Sequence, residues 1–428
     1  MRDISEIAEP PELTDGRVRL RPWQAGDAAA CAAMCDDPDV ARFIPVPSPY
    51  TLADGEEWVG DALRKWREDR WAQFAVLDAT GGGPVASGGR AAGGRLIASC
   101  GLKIDAERAT GEIGYLVHRD ERRRGIASAC IRLLTRWAFD DLGLQRLQIR
   151  ADVRNAASRR TVTAAGFRLE GVLRDNDVIR GARVDDALYS LLPGDRRPAD
   201  DAGDGGGGVG GDASGDVGGG ASGGDAPPSL GWPRLPDGRL VVRPFEPDDA
   251  PAVRSACDDP DVAHWIHLLP APYTQADAEW FVADARHRLL VGDRARLAIC
   301  DATTDEPLGS VSLDLFAGRQ AGEIGYWIKR EARRSGVALA AARLVVGWAF
   351  GPLGLERLEL MTYPGNEASQ ALAAKLGFTR EALLRGFLAP EPDKSRDGRV
   401  VPSADGSLPP RDDQVQFALL RSDRPPSA

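Results

Sequence analysis

The sequence predicts an α/β (α+β) chain that builds one domain twice, each copy a mixed sheet flanked by helices. Three observations carry this. Residues 112–127 read as a strand, a short basic turn containing Gly125, and the start of a helix. The same unit returns at 323–338, and from Glu112/Glu323 to Phe167/Phe378 the offset stays at 211 residues. Ungapped register over one stretch, with looser register outside it, marks a duplicated domain rather than a solenoid. Between the copies, 193–229 is rich in Gly, Asp, Ser and Pro and has no core-forming residues, so it reads as a disordered linker. The expected division is 1–192, linker 193–229, and 230–428.

The elements of the first copy follow in order. Residues 15–22 form a turn and an alternating strand, and Asp27 is expected to cap an alanine-rich helix that ends at Asp36-Asp37-Pro38. Tyr50-Thr51 leads into a helix over about 52–67, followed by a strand at 71–78. The glycine-rich stretch 81–94 reads as a mobile hairpin loop, and the sheet resumes at 96–103. After the central strand at 112–117, residues 128–139 place Cys130, Leu133, Leu134, Trp137 and Ala138 on one helix face, and Gly143 ends that segment. A strand at 147–153, a helix opened by Asn155 and closed at Gly166-Phe167, and strands at 171–179 and 187–192 complete the copy.

The second copy repeats these landmarks. Residues 237–244 match the opening strand, and 257–263 match the helix end at 35–41. Asn366-x-x-Ser369 matches Asn155-x-x-Ser158, and Gly377-Phe378 matches Gly166-Phe167. Tyr189 aligns with Phe417 as a core position, and 390–410 is a Pro- and charge-rich insertion between the last two strands.

Bulk properties narrow the function. A net charge of -10 argues against nucleic acid or an anionic membrane surface as partner. No run is long enough to cross a bilayer and the first 15 residues lack a signal-peptide core, so a cytoplasmic protein is expected. Six cysteines in 428 residues make no disulfide framework, and Cys31 and Cys35 read as buried apolar residues. His264 and His267 are the only close pair among four histidines, and no metal site is expected.

The repeated turn is where chemistry is expected. A glycine-containing turn feeding a helix start exposes unpaired backbone N–H groups at the positive end of the helix dipole, a place for phosphate or pyrophosphate. The residues are Arg122, Arg123, Arg124, Gly125, Ile126 and Ala127, and in the second copy Arg333, Arg334, Ser335, Gly336, Val337 and Ala338. Arg122 and Arg124, with Arg119 nearby, could add guanidinium contacts to phosphate, whereas Ser335 reduces that help in the second copy. Glu112 and Glu323 lie on mostly apolar strands, where a carboxylate is costly to bury and needs a reason. Each is either a general base or a structural carboxylate paired with an arginine or the backbone. Asn155 and Asn366 are natural helix N-caps, and Tyr115 and Tyr326 read as packing residues or as walls of a cofactor site.

With Glu-Ile-Gly-Tyr before the turn, Arg-x-x-Gly-x-Ala in it, Asn-x-x-Ser after the next strand and a closing Gly-Phe, each copy resembles the GNAT superfamily of acyl-coenzyme A-dependent N-acetyltransferases. The branch most similar is that of the ribosomal-protein-alanine N-acetyltransferases. The resemblance covers both halves and excludes the linker. It implies two domains, each with a splayed, mostly antiparallel central sheet. Acetyl-CoA would lay its pyrophosphate on the turn and its pantetheine arm between the splayed strands, beside Val117 and Ile328. The acceptor would be a small-molecule or peptide primary amine, attacking the thioester in a ternary complex. Glu112 and Glu323 would take the amine proton. Ser158 and Ser369, with Asn155 and Asn366, would sit near the sulfur, and the amide near Leu116 or Trp327 would stabilise the oxyanion. Since a thiol has a pKa of about 8.5, the thiolate leaves tolerably well unaided, and only a modest loss is expected on Ser158→Ala. The halves could pack as an internal pseudo-dimer. Alternatives left open are one catalytic half with a degenerate partner, and a coenzyme A-sensing module without turnover.

Overall fold

A computed structural model describes residues 7, 9–80, 90–91, 94–196, 230–266, 269–270, 272–316, 319–388 and 411–424. Most of the glycine-rich stretch expected as a hairpin loop at 81–94 lies outside the described residues. So do most of the expected linker (197–229), the insertion at 390–410, and His267. The chain divides into two units, the first drawn mainly from Met1–Gly220 and the second mainly from Ala221–Leu383 and Pro390–Ala428.

In the first unit β1 (Val18–Pro22) precedes three helices, α1 (Ala28–Cys35), α2 (Pro38–Phe43) and α3 (Leu52–Asp69). Strands β2 (Trp71–Asp78), β3 (Gly94–Asp105) and β4 (Thr110–Val117) follow, then α4 (Ile126–Arg136), β5 (Arg146–Asp152), α5 (Ala156–Ala164), β6 (Arg168–Ile179) and β7 (Ala182–Leu191). The sheet runs β1-β2-β3-β4-β5-β7-β6, antiparallel at every step except the parallel β4–β5 pair. The amphipathic helix α4 explains the placement of the core. Its Ile131, Leu133 and Leu134 are buried with Val76, Leu102 and Ile113 from the sheet. Each such side chain contributes about 1.5–3 kcal/mol relative to exposure. Trp137 stands edge-on to Phe74 with ring centroids 5.7 Å apart.

Two local expectations differ from the structure. Asp27 does not cap α1: its carboxylate is taken by Arg21, at 2.7 and 2.9 Å, and by the backbone N–H of Gln24. An ion pair from the neighbouring strand outcompetes the cap. The helix expected to run on through Phe139 instead widens into a π-turn at Trp137–Asp141, closed by the Leu142 N–H on the Trp137 carbonyl. Pro38, read as the end of α1, also starts α2, with Asp37 as its N-cap.

The second unit repeats this plan with β8 (Leu240–Pro244), α6 (Ala250–Cys257), α7 (Pro260–Trp265), α8 (Gln275–Val291), β9 (Arg294–Asp301), β10 (Pro307–Phe316) and β11 (Ala321–Ile328). Helix α9 (Val337–Phe350), β12 (Arg357–Thr362), α10 (Glu367–Leu376), β13 (Thr379–Leu388) and β14 (Asp412–Leu420) follow. Here β8-β9-β10-β11-β12-β14 are consecutive, with β11–β12 the parallel pair. The alignment of Tyr189 with Phe417 holds: the first faces Ile149, the second Leu360, and both are buried.

Candidate functional site

The parallel strand pairs are forks. In the first unit pairing covers Thr110↔Arg146, Gly111↔Leu147 and Glu112↔Gln148 and then stops. In the second it covers Ala321↔Arg357, Gly322↔Leu358 and Glu323↔Glu359. Beyond these pairs the strands part, leaving backbone groups on facing edges for an extended chain to bond, as in strand addition. The two glutamates are therefore the last paired residues at the crotch of each fork. In the second unit a cavity of about 770 Å³ opens at this point, lined by Ile324–Ile328 on one arm and Leu360–Tyr363 on the other.

Which amides face the fork follows from register. The His118 N–H donates to Ile97 and the Lys329 N–H to Leu308, across the antiparallel neighbour. Hydrogen-bonding direction alternates along a strand, so the Leu116 and Trp327 amides also turn to that neighbour. This corrects the expected oxyanion donors. The amides aimed into the fork are those of Tyr115 and Val117, and of Tyr326 and Ile328.

Both turns leading out of the fork have the same backbone. Arg123 and Gly125 take left-handed φ of 60° and 72°, and Arg334 and Gly336 take 59° and 84°. Neither helix that follows has a side-chain cap, so the first N–H groups, from Ile126 and Ala127 and from Val337 and Ala338, stay available. A Cβ added at Gly125 or Gly336 would meet nothing within 4 Å. Glycine is there for conformation, and the space over the turn is open. A concave run of N–H groups at a helix start with open space above it fits a diphosphate.

The arginine side chains differ from the expectation. Arg122 donates to Asp37 at 2.6 Å, to Asp39 at 2.8 Å and to the Val117 carbonyl, so its guanidinium is committed to the start of α2. Arg333 is held alike, by Asp259, Asp261 and the Ile328 carbonyl. Arg124 pairs with Glu121, and Arg119 donates to the Asp36 carbonyl. Ser335 donates to the Ala332 carbonyl at 2.6 Å. Arg123 and Arg334 remain exposed at the turn. The carboxylates that claim Arg122 and Arg333 come from the Asp-Asp-Pro-Asp segments at 36–39 and 258–261. Their presence in both copies was the signal sequence reasoning missed. Hydrogen bonds from Arg330 and Arg333, with an Asp261 N–H, hold the Asp259 carboxyl down to about 2.

The two glutamates sit in opposite environments. Glu112 faces Lys103 across β3 and Gln148 across β5. It accepts from Arg150 at 2.7 and 3.0 Å and from Gln148 at 3.0 Å, so it is paired with an arginine. At the same positions around Glu323 stand Asp314, Glu359 and Met361. Glu359 accepts from Arg357 at 3.0 Å, and burial pushes the Asp314 carboxyl above its ordinary range.

The Asn-x-x-Ser segments form matching constellations. Asn155 and Asn366 cap α5 and α10 through the N–H groups of Ser158 and Ser369, at 3.0 and 3.1 Å, which accounts for both asparagines. Each serine hydroxyl is 2.8 Å from a tyrosine hydroxyl, Ser158 from Tyr115 and Ser369 from Tyr326. Sequence reasoning took the tyrosines for walls, yet a separation of 43 residues in both copies was available to pair them. Burial holds the Tyr326 hydroxyl protonated by raising its pKa. Ser158, Asn155 and Tyr115 are buried, whereas Ser369, Asn366 and Tyr326 are half-buried and line the cavity. Among the described residues no three metal-capable side chains gather, and no helix is long and apolar enough to cross a membrane.

Comparison with known proteins agrees with this geometry. A family model described as "Acetyltransferase (GNAT) domain" matches residues 17–168 and again 239–379. The uncharacterized N-acetyltransferase p20 of Bacillus licheniformis is 25% identical over 181 residues, 41% of this chain and 93% of its own length. The putative ribosomal N-acetyltransferase YdaF of Bacillus subtilis is 36% identical over 97 residues, 22% of this chain and 53% of its own. Among solved structures, Mycobacterium smegmatis RimJ in complex with CoA-disulfide is 21% identical, covering 46% of this chain and 89% of its own at a TM-score of 0.37. With the family's domain matched over most of its length, in two successive copies, the chain belongs to the GNAT acetyltransferase family.

Proposed function

We propose that this chain transfers an acetyl group from acetyl-CoA to a primary amine by direct attack in a ternary complex. The observation that carries the reading is the uncapped helix start behind a left-handed turn, placed at the open end of a parted strand pair. The turn amides would hold the diphosphate, and the fork amides of Tyr326 and Ile328 would pair with the pantetheine arm. The amine nitrogen forms its bond to the acetyl carbon as the C–S bond breaks and its electron pair leaves on sulfur. The surplus amine proton goes to Glu323, and Ser369, whose hydroxyl is 2.8 Å from that of Tyr326, would protonate the thiolate. A protein N-terminus and a small-molecule amine both offer the group this chemistry needs.

A second reading, that the halves are unequal, is favoured by the two glutamates. Glu112 is ion-paired with Arg150 and accepts from Gln148, whereas Glu323 lies between register partners Asp314 and Glu359, which are paired with Arg294 and Arg357. Met361 stands at the position from which Arg150 bonds Glu112 in the first copy, and this exchange favours Glu323 as the carboxylate that takes the amine proton. Turnover is thereby assigned to the second half. A thiol-release assay of the full chain across a broad amine panel tests both readings. Release that survives Glu112→Gln and falls at least 100-fold in Glu323→Gln is the expected outcome. Cofactor binding with no release for any amine would leave a coenzyme A-sensing module instead.

A further inference from the structure

The faces of the two forks that carry the glutamates differ in every side chain beyond them, and we propose that the second fork takes a primary amine borne on an aromatic or extended apolar body. This rests on the transfer reading above and names its acceptor class. Strand alternation puts Glu323 and Trp327 on one face of β11, and Glu359, Met361 and Tyr363 on the same face of β12 and the residue that follows it. Trp265, at the end of α7, crosses to this wall. Its ring centroid is 5.8 Å from that of Tyr363, and a Cβ on Gly365 would touch the indole at 3.7 Å. Trp265 is 36% exposed, so an aromatic surface is presented at the cavity.

The first copy provides the contrast. At the offset that aligns the forks, Trp327, Met361, Tyr363 and Gly365 correspond to Leu116, Arg150, Asp152 and Arg154. Arg150 is spent on Glu112, and Arg154 donates to Asp152 at 2.9 Å. One scaffold has an ion-paired wall, the other an aromatic one, while turn, caps and Tyr–Ser pairs are kept. On the opposite face the strands keep Ile113/Ile324 and Tyr115/Tyr326 and exchange Val117 for Ile328 and Ile149 for Leu360, whereas this face trades charged side chains for apolar and aromatic ones, which marks it as the acceptor's. At the crotch, Glu323 stands between Asp314, which is paired with Arg294 at 2.6 Å, and Glu359, which is paired with Arg357 at 3.0 Å. Beyond them the apolar wall desolvates the body of the amine and stacks on it.

The test uses the full chain saturated with acetyl-CoA and compares phenethylamine and tryptamine with ethanolamine and kanamycin by thiol release. The aromatic amines are expected to have kcat/KM at least 10-fold above the polar ones. Trp265→Ala should remove most of that advantage, raising KM for the aromatic amines at least 5-fold more than for ethanolamine. Trp265→Phe, which restores the first copy's Phe43, should retain most of it. In parallel, phenethylamine is titrated calorimetrically into the CoA-saturated chain. Binding that requires Trp265 but yields no thiol would support the wall and overturn the transfer reading. Thiol release indifferent to the amine body, or to Trp265, would overturn the wall and leave the transfer reading standing.

Discussion

Arg150→Met converts the first fork to the second fork's residue at that position and exposes what Glu112 is for. Arg150 and Glu112 are 9% and 19% exposed, and the guanidinium supplies two of the three hydrogen bonds described for the carboxylate. Breaking a fully buried pair from one side costs about 3–5 kcal/mol. Here Gln148 remains and the carboxylate is partly wetted, so about 1–3 kcal/mol is expected. For a unit of about 150–250 residues that is a fall of roughly 2–12 °C in the first unit's Tm. Urea unfolding of Arg150→Met, Glu112→Gln and the double variant closes a cycle, with an expected coupling of about 1–3 kcal/mol. Additivity within about 0.5 kcal/mol would refute the pair. Loss of turnover in Glu112→Gln would refute the structural role given to this carboxylate and restore it as a base.

Other consequences are equally open to measurement. Gly336→Ala meets no steric obstacle, but holding a φ of 84° costs an L-residue about 1–2 kcal/mol; the free turn relaxes from that strain and must take it up again to bind, so CoA affinity should fall about 5- to 30-fold by calorimetry. Gly347→Ala, inside α9 with nothing within 4 Å of the added methyl, should instead stabilise by about 1 kcal/mol in denaturant unfolding. Because the folded Asp259 carboxyl lies at about 2, below its unfolded value, its contribution is complete above pH 4 and lost as pH falls toward 2. Asp259→Asn should flatten that limb of the second unit's acid-unfolding curve. Ser369→Ala should lower turnover by no more than about 10-fold, since a thiolate leaves unaided and the Tyr326 hydroxyl remains nearby, whereas a complete loss would make the serine the essential acid.

What could be read from the sequence was local or duplicated. The strand, turn and helix around Gly125 and Gly336 follow from spacing within sixteen residues, and the Asn caps from preferences within a single helical turn. Repetition at 211 residues then turned weak motifs into a strong pattern. Long-range competition was harder to see. Arg122 was free to point at phosphate until Asp37 and Asp39, 85 and 83 residues away, claimed it. Competition over a shorter span acted at Asp27, a fair cap until Arg21, on the strand just before it, took its carboxylate. The oxyanion amide failed on parity, since a one-residue shift turns an N–H from the fork to the neighbouring strand, and only the register fixes it. The unlike surroundings of Glu112 and Glu323 were present in the letters at 103, 148 and 150 and at 314, 359 and 361. They acquired meaning only once the strands were paired.

The central claim is that a capless helix start behind a left-handed glycine grips the diphosphate of an acyl carrier, with the working copy in the second half. Calorimetric titration of coenzyme A into the intact chain tests it most directly, alongside Gly125→Ala and Gly336→Ala. The account predicts saturable binding at both turns, each weakened by replacement of its own glycine. No heat of binding in the intact chain, or binding indifferent to both substitutions, would contradict it.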